Sequence, residues 1–328
     1  MAATRLRKAP ALTPRTFQEL FERITSNVKR VIKGKDDVIR LTLTALLADG
    51  HVLFEDLPGT GKTMLARAIG QTINAERISR ISCTPDLLPG DVTGSPVLDR
   101  KSGDFVFRPG PLFANVLLAD EVNRATPKTQ SALLEAMQER RVTVDGVTYD
   151  LPKPFLVLAT MNPIELAGTF PLPEAQLDRF LMKLSLGYPA RLSELEVMVA
   201  NEEKEAIVDL QPVVDAADVI DMIDWCARVT VNESVKLYII DLVSATRSDP
   251  SLQIGASTRA TLALMRGARV VAASQGRDDV LPDDVKLLAT SVMAHRVTLA
   301  PDALLRDESV EQVIERTIAR VKIPMGLS

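Results

Sequence analysis

Between about residue 14 and residue 188, short apolar stretches alternate with segments of helical character. That rhythm builds a parallel sheet with helices on both faces. It predicts strands over residues 51–55, 78–82, 115–119, 155–161 and 180–186. From Arg191 onward strand signals nearly vanish, and apolar residues recur at helical spacing, as in Val219, Ile220, Ile223 and Ala227, then Leu262, Met265, Ala268 and Ala272. Pro189, just after Gly187, marks the change. The expected organisation is a short arm over residues 1–13, an α/β domain over 14–188 with a five-stranded parallel sheet, and an all-α domain over 189–328. The chain has no internal repeat and no low-complexity tract.

Two insertions break the alternation. Residues 89–111 carry Gly90, Gly94, Gly103 and Gly110 around two short apolar runs, the pattern of a hairpin projecting from a helix. Residues 141–150 alternate on both sides of Asp145-Gly146, a strong hairpin signal. Paired hairpins on one domain suggest contact surfaces.

Composition narrows the classes. The 328 residues carry a net charge of −4, which excludes a broadly basic nucleic-acid coat protein. With 46% hydrophobic and 25% charged residues the chain can bury a large core, and 4% aromatics make that core aliphatic. Cys83 and Cys226 are too few for a disulfide framework and fit a reducing compartment. No apolar run approaches the ~20 residues of a membrane span. The start has Arg5, Arg7 and Lys8 with no apolar stretch behind them, so it does not read as a secretory signal, and a cytoplasmic protein is expected. His51 and His295 lack partners at ligand spacing and read as structural, while Met222 and Trp225 read as core.

The chemistry begins where residues 51–55 run into Asp56-Leu-Pro-Gly-Thr-Gly-Lys-Thr63 and a helix-forming stretch. A strand, a Gly-rich turn and a helix form a phosphate-binding loop, because small residues let backbone N–H groups face phosphate oxygens at a helix N-terminus. Pro58, Gly59, Thr60, Gly61, Lys62, Thr63 and Met64 are its candidate ATP contacts. Lys62 would reach the terminal phosphates and the Thr63 hydroxyl would coordinate Mg2+. Asp56 stands where the strict pattern has glycine. The apolar stretch 115–119 ends in Asp120 and Glu121, at the strand end where ligands collect in such sheets. There Asp120 is the candidate second metal ligand and Glu121 the candidate base for an attacking water. Asn162 follows the strand 155–161 and reads either as a phosphate-facing amide or as a turn initiator before Pro163.

Together these residues resemble the AAA+ ATPases and, more narrowly, the MoxR family. The narrower likeness rests on Glu55–Thr63, Phe107-Arg-Pro-Gly-Pro-Leu-Phe113, Asp120-Glu-Val-Asn-Arg-Ala125, Ala159-Thr-Met-Asn-Pro163 and Gly168-Thr-Phe-Pro-Leu-Pro-Glu-Ala-Gln-Leu-Asp-Arg-Phe180, and runs from about Phe17 to Ile323. Family members commonly carry an acid at the place of Asp56. The resemblance implies a P-loop NTPase core and helical lid, with residues 89–111 as the helix-2 insert and 141–150 as a second hairpin, both facing the pore of a ring. It implies Asn162 as sensor 1 and Arg179 as the arginine finger that reaches a neighbouring subunit. Within Gly255-Ala-Ser-Thr-Arg259-Ala it implies Arg259 as sensor 2, directed back at the γ-phosphate, with Thr258 where the family usually has proline. Val31-Ile-Lys-Gly-Lys35 resembles the stretch that lines the base pocket, which makes Ile32 and Gly34 candidates. Arg124 belongs to the signature without an assigned role.

The resemblance further implies a homo-oligomeric, hexameric ring that uses ATP and Mg2+ to remodel or activate a client or adaptor protein, such as one with a von Willebrand factor A domain. Two alternatives stay open. One is a nucleic-acid-directed motor, to which Arg100, Lys101 and Arg108 of the first hairpin would contribute, although the acidic net charge and scarce aromatics count against it. The other is a slow nucleotide switch or a chelatase-type subunit.

Overall fold

The structure, a computed structural model, describes residues 12–162, 168–202 and 210–323. Most of the arm expected over 1–13 lies outside the described residues, as does Pro163. The first half runs α1 (Pro14–Lys29), α2 (Asp36–Leu47), β1 (Val52–Glu55), α3 (Lys62–Thr72), β2 (Ile78–Ser82), α4 (Pro89–Thr93), β3 (Gly94–Leu98), β4 (Phe105–Pro109), β5 (Val116–Asp120), α5 (Pro127–Glu139), β6 (Arg141–Val144), β7 (Val147–Asp150), β8 (Leu156–Met161), α6 (Glu174–Leu177) and β9 (Met182–Leu184). The second half runs α7 (Arg191–Glu202), α8 (Ala216–Arg228), α9 (Glu233–Arg247), β10 (Leu252–Ile254), α10 (Thr258–Ser274), α11 (Pro282–Met293), β11 (Thr298–Leu299), α12 (Pro301–Leu305) and α13 (Val310–Arg320).

Five strands form one parallel sheet in the order β2-β5-β8-β1-β9. The period of two along each strand divides its side chains between two cores. Val52, Phe54, Val116, Leu118, Leu156 and Leu158 point into one, and Leu53, Leu117, Ala119, Val157 and Ala159 into the other. The second core is closed by α5 and by the base of the hairpin region. The first core continues into the helical region, because α1 packs on α3 and α10 while α2 packs on α8 and α10. Phe17, Phe21 and Ile24 of α1 and Ala260, Ala263 and Leu264 of α10 are buried in this one cluster. The lid helices are thus anchored to the sheet through the N-terminal helices.

Both expected hairpins are present, as β3–β4 and β6–β7. They touch: Tyr149 of β7 stacks on Phe107 of β4 at 4.1 Å between ring centres, and Phe113 packs edge-on against Phe107. Two details of the helical region depart from expectation. The region is not purely α, since β10 and β11 form a small antiparallel ribbon. The buried face of α8 is Val219, Met222 and Cys226, with Ala227 exposed, and α10 buries Ala263, Leu264 and Ala268 while leaving Leu262 55% exposed. An apolar residue one position off the packed stripe satisfies the same helical spacing.

Both histidines are buried and structural. His51, at the entry to β1, accepts from the Val157 amide through Nδ1 (3.0 Å) and donates from Nε2 to the Met137 carbonyl (3.1 Å). His295 donates through Nε2 to the Phe180 carbonyl (3.1 Å). Burial, reinforced by nearby arginines, holds both well below the ordinary histidine pKa. The folded state therefore stays unprotonated where the unfolded chain takes up protons. Stability is full above the ordinary pKa of about 6.5 and falls as pH drops below it, each histidine adding about 1.4 kcal/mol per pH unit to the loss. Urea unfolding from pH 7.5 to 5.5 should show this slope, and His51→Gln should make it shallower; an identical slope in the variant would contradict the assignment.

Candidate nucleotide site

β1 ends at Glu55, and the chain turns through Asp56 to Gly61 into α3. Gly59 (φ 81°) and Gly61 (φ 95°) are left-handed, and a Cβ at either would meet nothing within 4 Å. These glycines serve the backbone path and not packing, and that path lets successive N–H groups face an anion at a helix N-terminus. The loop lines a cavity of about 440 Å³, within the usual range for ligand pockets. Pro58, Gly59, Thr60, Gly61, Lys62, Thr63, Met64, Asp120, Glu121 and Asn162 all border it. Three strand ends, those of β1, β5 and β8, therefore deliver the predicted residues to one place. The Lys62 ammonium donates to the Leu57 carbonyl (2.7 Å) and to Thr60 Oγ1 (3.2 Å). Burial lowers its pKa, while the fields of Asp56, Asp120 and Glu121 act in the opposite direction.

Asp120 accepts from Arg80 Nε (2.7 Å) and from Thr160 Oγ1 (3.4 Å). The same Thr160 hydroxyl accepts from the Glu121 amide (2.8 Å), so one side chain on β8 ties both acids of β5 in place. Glu121 itself is left-handed (φ 56°), a conformation that non-glycine residues hold chiefly where the surroundings over-determine it, as at functional sites. Its carboxylate accepts from Arg124 Nη1 (2.9 Å), which gives Arg124 a partner inside the chain. Thr63 and Asp120 offer one hydroxyl and one carboxylate to the same cavity. Hard oxygen donors in that number fit Mg2+ whose shell is completed by phosphates and water. Among the described residues no group of three or more His, Cys, Asp or Glu could hold a metal alone.

Asp56 is an anchor. Only 7% exposed, its carboxylate accepts from Ser185 Oγ (2.7 Å), the Leu186 amide (2.7 Å) and the Gly187 amide (2.9 Å), while its own amide donates to the Met161 carbonyl (3.2 Å). The first residue of the phosphate loop is thereby tied to the end of β8 and to the connection leading to the helical region. Gly34 (φ 67°) belongs to the same junction: a Cβ there would come within 2.3 Å of Ser193 Oγ on α7. Ile32 is buried in the apolar core, and neither it nor Gly34 borders the phosphate-loop cavity.

The two predicted arginines lie elsewhere. Arg179 and Arg259 border a second cavity, of about 540 Å³, with Asp49, Gly50, His51 and Leu181, at the amino ends of β1 and β9. Arg259 therefore lies away from the phosphate loop of its own chain. The reason is the packing of α10, whose first turn is fastened to the residue before Arg179. Asp178 Oδ2 accepts from the hydroxyl of Ser257, the N-cap of α10 (2.8 Å), and pairs loosely with Arg259 Nη1 (3.5 Å). Asp178 Oδ1 accepts from the buried Arg296 Nε (2.7 Å), whose pKa burial pulls down to about 10 against the opposing effect of Asp178.

Arg80, Thr160, Asp178 and Arg296 were not singled out from sequence. Thr160 carried a faint signal, as the one hydroxyl in the apolar run Leu156–Met161. For the other three the partners are distant in sequence. One consequence of the Asp56 anchor is testable. Asp56→Gly, which restores the strict loop pattern, should keep nucleotide binding but lose about 1–3 kcal/mol of stability in urea unfolding, and the Leu186 and Gly187 amides should exchange hydrogen faster; unchanged exchange there would contradict the anchor.

Comparison with known proteins agrees with this geometry. The model of the ATPase family associated with various cellular activities (AAA) matches residues 51–182, and that of the AAA lid domain matches residues 244–317. The uncharacterized protein YeaC of Bacillus subtilis is 47% identical over 94% of this chain and 96% of its own length. Chaperone MoxR1 of Mycobacterium tuberculosis is 40% identical over 92% of this chain and 82% of its own. A crystal structure from Cytophaga hutchinsonii superposes with a TM-score of 0.89 at 40% identity, covering 95% of this chain and 97% of that one. With a phosphate loop after β1, paired acids at the end of β5 and a helical lid in this arrangement, the chain belongs to the MoxR family of AAA+ ATPases.

Proposed function

We propose that the chain hydrolyses Mg2+-bound ATP at the phosphate-loop cavity, as one subunit of a homo-oligomeric ring of six copies, and uses the cycle to remodel or activate a partner protein. The observation that carries this reading is the separation of its charges. Loop, acids and Asn162 meet at the carboxyl ends of the strands, while Arg179 and Arg259 stand at the amino ends. A phosphoryl transfer needs cations on the developing charge. A second copy, docked with its arginines on the first copy's nucleotide, supplies them.

In this reading the loop amides and Lys62 bind the phosphates. Thr63 and Asp120 hold Mg2+, which supplies charge neutralisation on the phosphate oxygens when bound. Glu121 takes the proton of the attacking water, with Arg124 and Thr160 fixing its position, and Asn162 orients that water or the γ-phosphate. Residues 14–188 act as the nucleotide-binding domain and 189–328 as the lid, joined through Asp56 and its linker partners. Ile32 and Gly34 serve the base end indirectly, by setting how the N-terminal strip meets the lid.

A protein client is favoured by the tip of the β3–β4 hairpin. Phe105 is 74% exposed there, beside Val106, Leu98 and Val97, an apolar surface better suited to polypeptide than to a phosphate backbone. The relative named Chaperone MoxR1 points the same way, and a partner with a von Willebrand factor A domain is the family expectation. Free, buried Cys83 and Cys226 fit a cytoplasmic setting, burial pushing the Cys83 thiol up to about 12.

Three variants test the roles. Glu121→Gln should keep ATP affinity and lose hydrolysis by about 100-fold or more, measured by phosphate release. Lys62→Ala should weaken binding of a fluorescent ATP analogue. Arg179→Ala should leave affinity intact and cut turnover of the assembled ring by about 10³-fold or more; full turnover with assembly intact would remove Arg179 from the reaction.

A further inference from the structure

The cavity at the amino ends of the strands holds more positive charge than Arg179 and Arg259 account for. Arg266 and Arg269 border it too, on the same side of α10 as Arg259 and two to three turns further along the helix. Arg140 and Arg296 complete a set of six guanidinium groups, against two carboxylates, Asp49 and Asp178. The carboxylates are already committed: Asp49 pairs with Arg140 at 2.8 Å, and Asp178 with Arg296 at 2.7 Å and more loosely with Arg259. Among the described residues no ion pair is closed on Arg179, Arg266 or Arg269.

Two donors in this cavity are also orphaned. The Nε atoms of Arg179 and Arg269 are buried without a hydrogen-bond partner. Buried donors are normally satisfied, and a half-desolvated cluster of like charges opposes its own folding. A fold that retains such a cluster gains from it when an anion with several acceptor oxygens enters, since guanidinium groups bind phosphate oxygens with paired, charge-assisted bonds. The cluster is extended: along α10, Arg259 and Arg269 are ten residues and about 15 Å apart. A single phosphate would not span it, whereas a phosphate chain with the groups around it would.

We propose that this cavity is a polyphosphate site in which Arg266 and Arg269 are the inner donors behind Arg179 and Arg259, and that it takes the phosphate chain of a nucleotide carried by a second copy of this chain. The proposal rests on the reading that Arg179 and Arg259 act across a contact between copies. Its added content is that Arg266 and Arg269 grip the same nucleotide, so that the arginine face works as one four-cation clamp. Asp178 holds the clamp in register through Ser257 and Arg296.

The test uses the full chain. Arg266→Gln, Arg269→Gln and the double variant are compared with wild type for binding of a fluorescent ATP analogue at high dilution and for ATP turnover as protein concentration rises. Affinity at dilution should stay within about twofold, because each copy's own loop lies at the other end of the sheet. Turnover should fall about tenfold per arginine removed, and Arg266→Lys, which keeps the charge, should recover part of it. A double variant with wild-type turnover overturns the proposal. If Arg179→Ala also kept full turnover, the underlying reading would fall with it; if Arg179→Ala were inactive, this proposal would fall alone. Inorganic tripolyphosphate is the probe for the other source of anion. Calorimetry on the Lys62→Ala chain should give binding that strengthens as copies associate and is lost with Arg266→Gln/Arg269→Gln. Equal binding by dilute single copies would mean a free-anion site and overturn the second-copy assignment.

Discussion

A parallel sheet has two unlike ends, and this chain uses them for opposite charges. The carboxyl ends of β1, β2, β5 and β8 collect the phosphate loop and its acids, because helix N-termini and strand-end side chains converge there. The amino ends of β1 and β9 collect the arginines. Gly50 and Asp56 are six positions apart along extended chain, about 20 Å. One copy cannot fold that length back on itself, so within one chain the arginines of the second cavity stand apart from the phosphate-loop cavity; in the proposed reading a second copy brings the two together.

Two carboxylates, the buried Asp56 and the half-buried Asp178, tie elements together at the two ends. Asp56 binds the phosphate loop to the linker at Ser185, Leu186 and Gly187. Asp178 binds the segment carrying Arg179 to the cap of α10 and to Arg296. The lid thus touches the sheet domain at both poles, with the apolar contacts of α1 and α2 between them. The hairpins add a third connection, since Phe107 and Tyr149 join the two insertions into one projecting unit.

Much of this was legible in the sequence, and the legible parts share a cause. β1, β5 and β8 appeared as short apolar runs, since a strand buried on both faces leaves an uninterrupted signal; the edge strand β2 alternates and lies at its expected bounds, and the other edges differ from the expected ones by one or two residues. The phosphate loop, Asp120, Glu121 and Asn162 sit at strand ends, where local spacing alone sets the position. Where Arg259 sits depends on how α10 packs against Asp178, a contact between residues 79 or more positions apart for which periodicity carries no information. Arg266 and Arg269 carry no local sequence signal beyond a charge on a helix, and only the fold gathers them into the cavity. Asp56 was visible as a departure from pattern, but its three acceptor bonds lie beyond the strand it follows. Ile32 was visible as an apolar position beside a functional stretch, and the structure buries it in the core.

The central claim is that arginines at one end of the sheet serve the nucleotide at the other end of a second copy. A mixing experiment addresses it most directly. Glu121→Gln subunits keep their arginines and lack the base, while Arg179→Ala subunits keep the base and lack that arginine. Each alone should hydrolyse ATP poorly, and a mixture should regain a substantial fraction of wild-type turnover, because the base of one variant meets the arginine of the other. A mixture no more active than its components, with mixed assemblies demonstrated, would contradict the account.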